Sequence, residues 1–144
     1  MLVKQILSSK SDNTVVTVKP SALVSEAAAI LSERKIGSVV VSEDGRTALG
    51  MLSERDIVRE LGTRGGACLS ETVAQMMTAN PVTCRASDSA DAILQTMTQR
   101  RFRHLPVVEN GEMVGIVTIG DAVKARLSEL SMEKSALEGM IMGH

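Results

Sequence analysis

The chain contains one sequence pattern twice, about 65 positions apart, and this repeat constrains its fold more than any other feature. Residues 24–31 align with residues 90–97, and in both segments the apolar side chains follow the i, i+3, i+4, i+7 spacing of an amphipathic helix. A half-domain of about 60 residues buries little apolar surface by itself. We therefore expect two similar units that pack face to face with pseudo-twofold symmetry and enclose two equivalent clefts.

Each copy continues from its first helix into two apolar runs separated by a turn. Asp-Gly occupies the turn of the first copy and Asn-Gly that of the second, and both dipeptides are typical of β-hairpins. A second helix follows each hairpin and a short β segment precedes each unit, so the order β-α-β-β-α occurs twice. The predicted elements are strands at 14–18 and 81–84, first helices at 24–31 and 90–97, hairpins at 38–52 and 105–117, and second helices at 56–61 and 121–127.

These elements predict an α+β fold, similar to an α/β sandwich, with two repeats and a C-terminal helix. Apolar residues recur at near-helical spacing from Leu127 onward, which gives the tail a stripe to bury on its own module or on a second copy. Twofold dimerisation is the commonest outcome for such a stripe. The predicted boundaries are residues 1–62 for the first repeat, 63–72 for an inter-repeat loop, 73–128 for the second repeat and 129–144 for a helical tail.

Charge and composition exclude several classes of protein. Lys and Arg number 16 and Asp and Glu 17, and the resulting net charge of −1 argues against a protein that coats DNA or an anionic membrane. With no Trp, no Tyr and one Phe, the chain lacks the aromatic rows that bind single-stranded nucleic acid, and its apolar runs are too short for a membrane helix. Cys68 and Cys84 are isolated, so we expect reduced thiols and no metal site. The absence of a signal-peptide pattern predicts a cytoplasmic location.

The most distinctive local motif is Ser/Thr-x-x-Asp at the start of each second helix. The first copy has Ser53 and Asp56, and the second has Thr118 and Asp121. The start of a helix offers unpaired N–H groups and a positive dipole end, both of which suit phosphate. A carboxylate held there can accept two hydrogen bonds from a ribose diol. The motif therefore indicates a nucleotide site, with Gly120 leaving room for close backbone approach in the second copy.

The same motif is also a helix-capping box, in which the hydroxyl and the carboxylate satisfy backbone N–H groups without any ligand. One occurrence favours capping, whereas recurrence at two equivalent helices leaves capping and ligand binding about equally supported. A hydrolase triad of Ser53, His104 and Asp56 has little support, because no glycine-flanked nucleophile elbow surrounds the serine.

A cluster of basic residues precedes the hairpin of the second copy. Residues 100–104 contain three arginines and one histidine, including Arg103 and His104. Arginine binds phosphate through a bidentate fork, and histidine can donate a hydrogen bond from either ring nitrogen. The first copy lacks this density of charge, although Arg55 stands where the second copy has Gly120. We therefore expect the two clefts to differ in affinity for anions, unless the cluster is only a solvated basic edge.

Together, these residues resemble a tandem pair of CBS domains, also called a Bateman module. The resemblance covers about residues 1–128 and rests on Lys19-Pro20 with the helix that follows, on residues 103–108 and on residues 115–121. The chain is most similar to stand-alone bacterial members of the family, which carry no catalytic domain. The resemblance implies halves packed through their sheets, two nucleotide clefts, and pairing of modules into flat dimers.

The resemblance also implies an adenosine-containing ligand, such as AMP, ADP, ATP, S-adenosylmethionine or NAD(H). In the family pattern Asp56 and Asp121 hold ribose hydroxyls, and each cleft combines one repeat's Asp with the first strand of the other repeat. In the first copy, residues 36–39 replace the basic-His-x-Pro run that ends at Pro106 in the second. The other implied positions are, for phosphate, Ser53, Thr118, Arg103 and His104 and, for adenine, Val18, Gly37, Ser38, Val39, Val82, Thr83, His104 and Leu105.

These observations predict a regulatory sensor module without catalytic activity, which binds an adenine nucleotide between its repeats. The expected partners are a second copy of the chain and an unidentified downstream protein, with no nucleic acid or membrane. The main alternative is a structural dimerisation or interaction adaptor that binds no ligand and whose Ser/Thr-x-x-Asp motifs only cap helices. A small hydrolase acting through His104 is a third hypothesis.

Overall fold

Residues 1–141 are described by the computed structural model, and they form the two expected α+β units and a long C-terminal helix. The first unit has the predicted order of elements, β-α-β-β-α, whereas the second has α-β-β-α preceded only by an isolated bridge at Cys84. The helices are α1 Val3–Ser9, α2 Val24–Arg34, α3 Glu54–Arg64, α4 Val73–Met76, α5 Ala90–Arg100 and α6 Ile119–Ile141, with a 3₁₀ helix at Gly66–Ser70. The strands are β1 Thr17–Val18, β2 Ser38–Val41, β3 Gly50–Ser53, β4 Thr78–Ala79, β5 His104–Glu109 and β6 Glu112–Thr118.

The strands form two sheets of different size. In the first sheet β1 is parallel to β2, and β3 is antiparallel to both β2 and β4. The second contains antiparallel β5 and β6, and Cys84 adds only a single parallel bridge to Val107. The predicted strand at 81–84 is therefore wrong except for Cys84. Pairing occurs earlier, at Thr78–Ala79 against the first sheet, and Pro81 has no N–H to donate to a ladder.

Each unit completes its core with the segment that precedes the other repeat. Helix α1 packs into the second unit, and the inter-repeat segment packs into the first. Equivalent backbone hydrogen bonds hold the two segments: Val3 N–H donates to Asp88 O at 2.8 Å, and Val73 N–H donates to Ala22 O at 2.7 Å. The two units are thus interlocked. The side chains buried in this way are Val3 and Leu7 from α1, and Cys68, Val73 and Met76 from the inter-repeat segment.

The two hairpins differ, although both contain the predicted turn dipeptide. Asn110 and Gly111 join β5 to β6 with φ values of 52° and 79°, the positive angles that a two-residue type I′ turn requires. In the first copy the Asp-Gly pair lies within a longer loop at 42–49. There the Asp44 carboxylate accepts the backbone N–H groups of Arg46 and Thr47, each at 2.8 Å, and so orders the loop.

Helix α6 continues from the second unit into the predicted tail without a break, from Ile119 to Ile141. Its first two turns pack on the module, where Ala122 and Ala125 are buried. The C-terminal end of the predicted tail, residues 142–144, lies outside the described residues. Within residues 1–141, no helix is both long and apolar enough to cross a membrane.

The two cysteines are free and buried, in different units. Burial, with smaller contributions from the carboxylates of Asp88 and Glu109, raises the pKa of Cys84 to about 12. Cys84 is therefore a neutral thiol that packs as a small apolar side chain. Among the residues that the structure describes, no group of three or more His, Cys, Asp or Glu is arranged to hold a metal ion.

Candidate functional site

The first Ser/Thr-x-x-Asp motif lies at the start of α3 and forms a complete capping box. Ser53 Oγ accepts the N–H of Asp56 at 3.1 Å, and Asp56 Oδ2 accepts the N–H of Ser53 at 3.0 Å. The other carboxylate oxygen accepts a hydrogen bond from Arg59 at 3.1 Å, and this arginine side chain is 61% exposed. A carboxylate has about four acceptor positions, so Asp56 can cap the helix and still bind a hydroxyl group.

The second motif, at the start of α6, has the same capping bonds but a different neighbour. Thr118 and Asp121 exchange hydrogen bonds of 2.9 and 3.1 Å. Asp121 Oδ2 also accepts from Lys10 Nζ at 3.0 Å, and Lys10 donates to Ile116 O at 3.0 Å. Burial acts to raise the pKa of Asp121, but the Thr118 N–H and the Lys10 ammonium outweigh it and hold that pKa below its ordinary value. The second carboxylate is thus already paired with a cation.

A cavity of about 410 Å³ lies beside the first capping box, between the two units. The first unit contributes the start of α3 and the start of β2, and the second contributes the segments before Cys84 and before β5. Small-molecule sites are typically clefts of about 300–1,000 Å³, so this volume suits a small ligand. The lining residues are Gly37, Ser38, Met51, Ser53, Glu54, Arg55, Asp56, Arg59, Thr78, Pro81, Val82, Arg101, Phe102, Arg103 and His104.

The charged groups of this cavity favour an anion. Four arginines line it against two carboxylates, which leaves a net charge of +2 when the histidine is neutral. Burial lowers the pKa of His104, and Arg103 lowers it further, while Glu54 and Asp121 oppose the shift only in part. His104 is therefore neutral near pH 7 and offers one hydrogen-bond donor and one acceptor.

The remaining lining residues combine an apolar surface with one unsatisfied hydroxyl. Phe102, the single aromatic residue of the chain, lines the cavity and also packs against the core of the second unit. Ser38 is only 7% exposed, and its Oγ has no hydrogen-bond partner among the described residues. A buried hydroxyl without a partner costs free energy. A polar ligand atom in the cavity would remove that cost.

Half of the predicted site residues line this cavity. Asp56 of the first repeat and Val82 of the segment before Cys84 in the second repeat both line it. Ser38 and His104, the first residues of β2 and β5, line the cavity, whereas the residues that follow them do not, because successive side chains of a strand point to opposite faces. The lining residues from the predicted set are Gly37, Ser38, Ser53, Arg55, Asp56, Val82, Arg103 and His104.

The other half lies elsewhere. Val39 and Leu105 follow Ser38 and His104 on their strands, and they therefore face the core instead of the cavity. Val18 and Pro106 are buried as well, and Thr83 is exposed outside the lining. Thr118, Gly120 and Asp121 stand together at the end of β6 and the start of α6, and they do not line this cavity.

Several lining residues were not among the predicted site residues. Arg101 and Phe102 belong to the basic run already noted in the sequence, and Arg59 lies one helical turn after Asp56, so a signal was available for these three. Glu54 lies within the Ser53-x-x-Asp56 motif and Pro81 within the predicted strand at 81–84, but neither was assigned to the site. The lining residues without a sequence signal are therefore Met51 and Thr78, because their position depends on the pairing of β3 with β4.

Comparison with known proteins assigns the family. The model of the CBS domain matches residues 3–63 and 73–128. The chain belongs to the CBS domain family. Protein YlbB of Bacillus subtilis is 35% identical over 116 residues, which cover 78% of this chain and 74% of YlbB. Some relatives are much longer: CBSCBSPB2 of Arabidopsis thaliana is 30% identical over 123 residues, and this chain spans 23% of it.

Solved structures of CBS proteins have the same fold. The CBS-domain protein ATU1752 of Agrobacterium tumefaciens superposes with a TM-score of 0.82 at 43% identity, covering 88% of this chain and 99% of that one. PAE2072 of Pyrobaculum aerophilum, complexed with AMP, superposes with a TM-score of 0.77 at 26% identity. The match covers 92% of this chain and 99% of PAE2072. The CBS pair of MJ0100, in complex with 5′-methylthioadenosine and S-adenosylmethionine, superposes with a TM-score of 0.75 at 25% identity. The match covers 90% of this chain and 98% of the MJ0100 chain.

Proposed function

We propose that this CBS pair is a regulatory module that binds a phosphorylated adenosine compound, of the AMP, ADP, ATP or NAD(H) type, in the cavity beside Asp56. The observation that carries the proposal is a cavity between the repeats in which a helix-start carboxylate of one repeat meets a basic run of the other. The complexes of PAE2072 with AMP and of MJ0100 with adenosine-containing sulfur compounds support this class of ligand.

Each part of such a ligand has a matching group in the cavity. The free lone pairs of Asp56 suit the ribose hydroxyls, and Arg101 and Arg103 suit the phosphate. The ring of Phe102 and the side chain of Val82 offer an apolar surface for adenine. This division of roles leaves the phosphate close to the arginines and away from the carboxylates.

The net charge of the cavity distinguishes between the ligands of the two solved complexes. S-adenosylmethionine carries a sulfonium cation, which four arginines disfavour, whereas AMP carries a phosphate, which they favour. We therefore rank phosphorylated nucleotides above S-adenosylmethionine for this chain. Affinity for such a ligand falls as the salt concentration rises, because the charges in an open cavity are partly screened.

Ligand binding would regulate by holding the two repeats in one arrangement. The ligand contacts groups from both units, so it stabilises the arrangement in which those groups face one another. At a free ligand concentration of 100 times Kd, this linkage stabilises the bound form by about 2.7 kcal/mol. A downstream protein that contacts both units can then distinguish the bound state from the free state.

Titration calorimetry with AMP, ADP, ATP and NAD on Asp56→Asn and Asp121→Asn tests the site. Asn keeps the shape of the side chain but replaces a charged acceptor with a neutral one, so we expect affinity to fall about tenfold in Asp56→Asn. Asp121→Asn is the matched control, since it changes an equivalent capping box outside the cavity. Equal affinities in the two variants and the wild type would contradict the assignment of the site.

A second measurement uses the composition of the chain. With no Trp and no Tyr, the protein absorbs very little near 260–280 nm. Strong absorbance at 260 nm in a purified sample therefore reports a co-purified nucleotide directly. Mass spectrometry of the released compound would then identify it.

An adaptor that binds no ligand is the second candidate function. It is favoured by the complete hydrogen bonding of both capping boxes, which accounts for the motifs by helix stability alone. It predicts that no nucleotide raises the melting temperature and that Asp56→Asn and Asp121→Asn lower it equally.

In both candidates the module performs no catalysis, and Ser53 and Asp56 are bonded to each other's backbone as caps. The homodimeric state and the cytoplasmic location stay predictions.

A further inference from the structure

The C-terminal half of α6 extends beyond the module with its apolar side chains uncovered. Only Ala122 and Ala125 are buried on this helix, and residues 130–141 are exposed except for the partly exposed Gly139. The exposed apolar side chains that concern us are Val123, Leu127, Leu130, Leu137 and Ile141, which are between 40% and 83% exposed.

These five residues lie on one narrow line along the helix. Together with Lys134 they occupy positions 123, 127, 130, 134, 137 and 141, with alternating steps of four and three residues. This is the a/d pattern of a heptad repeat, and it differs from the broader stripe with which a helix packs on a globular core. A strict a/d line fits a second helix, because each side chain inserts between four residues of the facing helix. We call this line of six residues the α6 seam.

We propose that the α6 seam pairs with the α6 seam of a second copy of this chain in an antiparallel two-helix coiled coil. In this register Val123 faces Ile141 of the second copy, Leu127 faces Leu137, and Leu130 faces Lys134. Every seam position then has a partner, over about 27 Å of helix at 1.5 Å per residue. The arrangement is twofold symmetric, as in most homodimers.

The position of Lys134 decides between parallel and antiparallel pairing. In a parallel pair identical positions meet, so the ammonium of Lys134 would face the same ammonium in the second copy. The antiparallel register instead sets Lys134 against Leu130, and the long apolar stem of lysine can cover that side chain while the charge reaches water. The Lys134 side chain is 78% exposed, and its Nζ lies 3.9 Å from Oε1 of Glu138 on the same helix.

The charged residues that flank the α6 seam also favour antiparallel over parallel pairing. In a parallel pair Glu133 of each copy would face Glu138 of the other, which makes two repulsive contacts. In the antiparallel register Lys124 of each copy faces Glu138 of the other, which makes two attractive contacts. Glu133 then faces Glu133 once, next to Lys134 of both helices. The balance of charge therefore favours the antiparallel pair.

The first test is the oligomeric state in solution, measured by light scattering over a series of protein concentrations. We expect the double variant Leu130→Glu/Leu137→Glu to weaken self-association about a hundredfold or more, because it puts four carboxylates into the seam of a dimer. Met132→Glu is the matched control, since Met132 is 65% exposed on the same helix but off the seam. A monomeric wild type, or a double variant that associates as the wild type does, overturns the proposal.

The second test determines the direction of the helices by disulfide formation. In the antiparallel register Ser131 lies across from Ser131 of the second copy, so Ser131→Cys should cross-link under mild oxidation, while Leu137→Cys should not. A parallel pair gives the opposite result, because Leu137 would then face Leu137. Cys68 and Cys84 are buried and do not compete. Cross-linking of Leu137→Cys without that of Ser131→Cys overturns the antiparallel assignment.

Discussion

The two helix-start motifs of this module have the same capping bonds and differ in what surrounds the carboxylate. Beside Asp56, the cation is the exposed Arg59, and a basic run from the other repeat lines an open cavity. Beside Asp121, the cation is Lys10 from the N-terminal region, which is only 25% exposed and bonds to Oδ2, the oxygen that also caps the helix. Gly120 also stands there in place of Arg55, so the second motif lacks that positive charge.

This difference separates the contribution of the motif to folding from its contribution to binding. Both capping boxes are intact, with all four hydrogen bonds between 2.9 and 3.1 Å. Helix capping therefore cannot explain why the cavity beside Asp56 is lined by four arginines and by a serine hydroxyl that has no partner within residues 1–141. The residues that differ between the repeats are those to which we assign the binding of an anionic ligand.

The largest effect is expected from Arg101→Glu, with Lys35→Glu as its counterpart in the first repeat. Both residues follow a first helix in the left-handed conformation, with φ of 60° and 54°, but only Arg101 lines the cavity. Reversing its charge removes a charge-assisted hydrogen bond and adds repulsion, so nucleotide affinity should fall about a hundredfold. Calorimetry should show no such loss for Lys35→Glu. An equal loss of affinity in Arg101→Glu and Lys35→Glu would mean that nucleotide binding depends on the net charge of the protein and not on the position of Arg101 in the cavity.

The next effect concerns stability, at Gly50 and its repeat equivalent Gly115. A Cβ on Gly50 would lie 2.8 Å from the backbone oxygen of Thr78, whereas a Cβ on Gly115 would lie 2.8 Å from Leu7 Cδ2. Overpacking typically costs about 1–3 kcal/mol, and a side-chain end can move more easily than backbone. Gly50→Ala should therefore lower the free energy of unfolding more than Gly115→Ala, as denaturant titration can measure. The reverse order would show that β4 is free to shift.

The sequence alone predicts the repeated part of this molecule well. The apolar spacing identifies α2 and α5, and Ser89, a residue type that favours helix starts, caps α5 by accepting the N–H of Ala92. The first hairpin begins at Ser38, as predicted, and Asn110-Gly111 forms the predicted turn of the second. These features depend on local physics, namely periodicity, capping and turn geometry, which a repeated pattern makes visible.

The features that the sequence did not predict depend on long-range packing. Helix α1 has only seven residues, too few to show a helical period, and its place in the second unit is set by contacts with distant residues. The bond between Lys10 and Asp121 joins positions 111 residues apart. The cavity could be anticipated only through the basic run and the helix-start motif. The lining residues Met51 and Thr78 are brought to the cavity by the register of β3 against β4.

A smaller effect is expected from pH, because burial and Arg103 lower the pKa of His104 below its ordinary value of 6.5. As pH falls below that value, the unfolded chain takes up a proton before the folded protein does, so the free energy of unfolding decreases. A bound phosphate stabilises the protonated ring, so nucleotide affinity should rise toward acid pH, by less than about tenfold. His104→Gln should abolish both trends in thermal unfolding and calorimetry. Persistence of both would assign them to another group.

The smallest effect is expected from Lys10→Met, with Lys4→Met as the control for loss of one positive charge. Because the folded protein holds the pKa of Asp121 low, this carboxylate stabilises the fold above the ordinary pKa of Asp, and the contribution is lost as pH falls through the folded value. A partly exposed ion pair contributes about 0.2–1 kcal/mol. Lys10→Met should therefore lower the free energy of unfolding by no more than that at neutral pH, and by nothing in strong acid.

The same variant tests whether the ion pair of Lys10 with Asp121 opposes nucleotide binding beside Asp121. Removing Lys10 frees Asp121 while leaving its bond to the Thr118 N–H, so the capping box stays intact. If the cation is the main difference, calorimetry of Lys10→Met should show a second, weaker nucleotide that is absent with Lys4→Met. If binding is unchanged, the missing arginines account for the difference instead, because Gly120 and its neighbours offer no comparable charge to a phosphate.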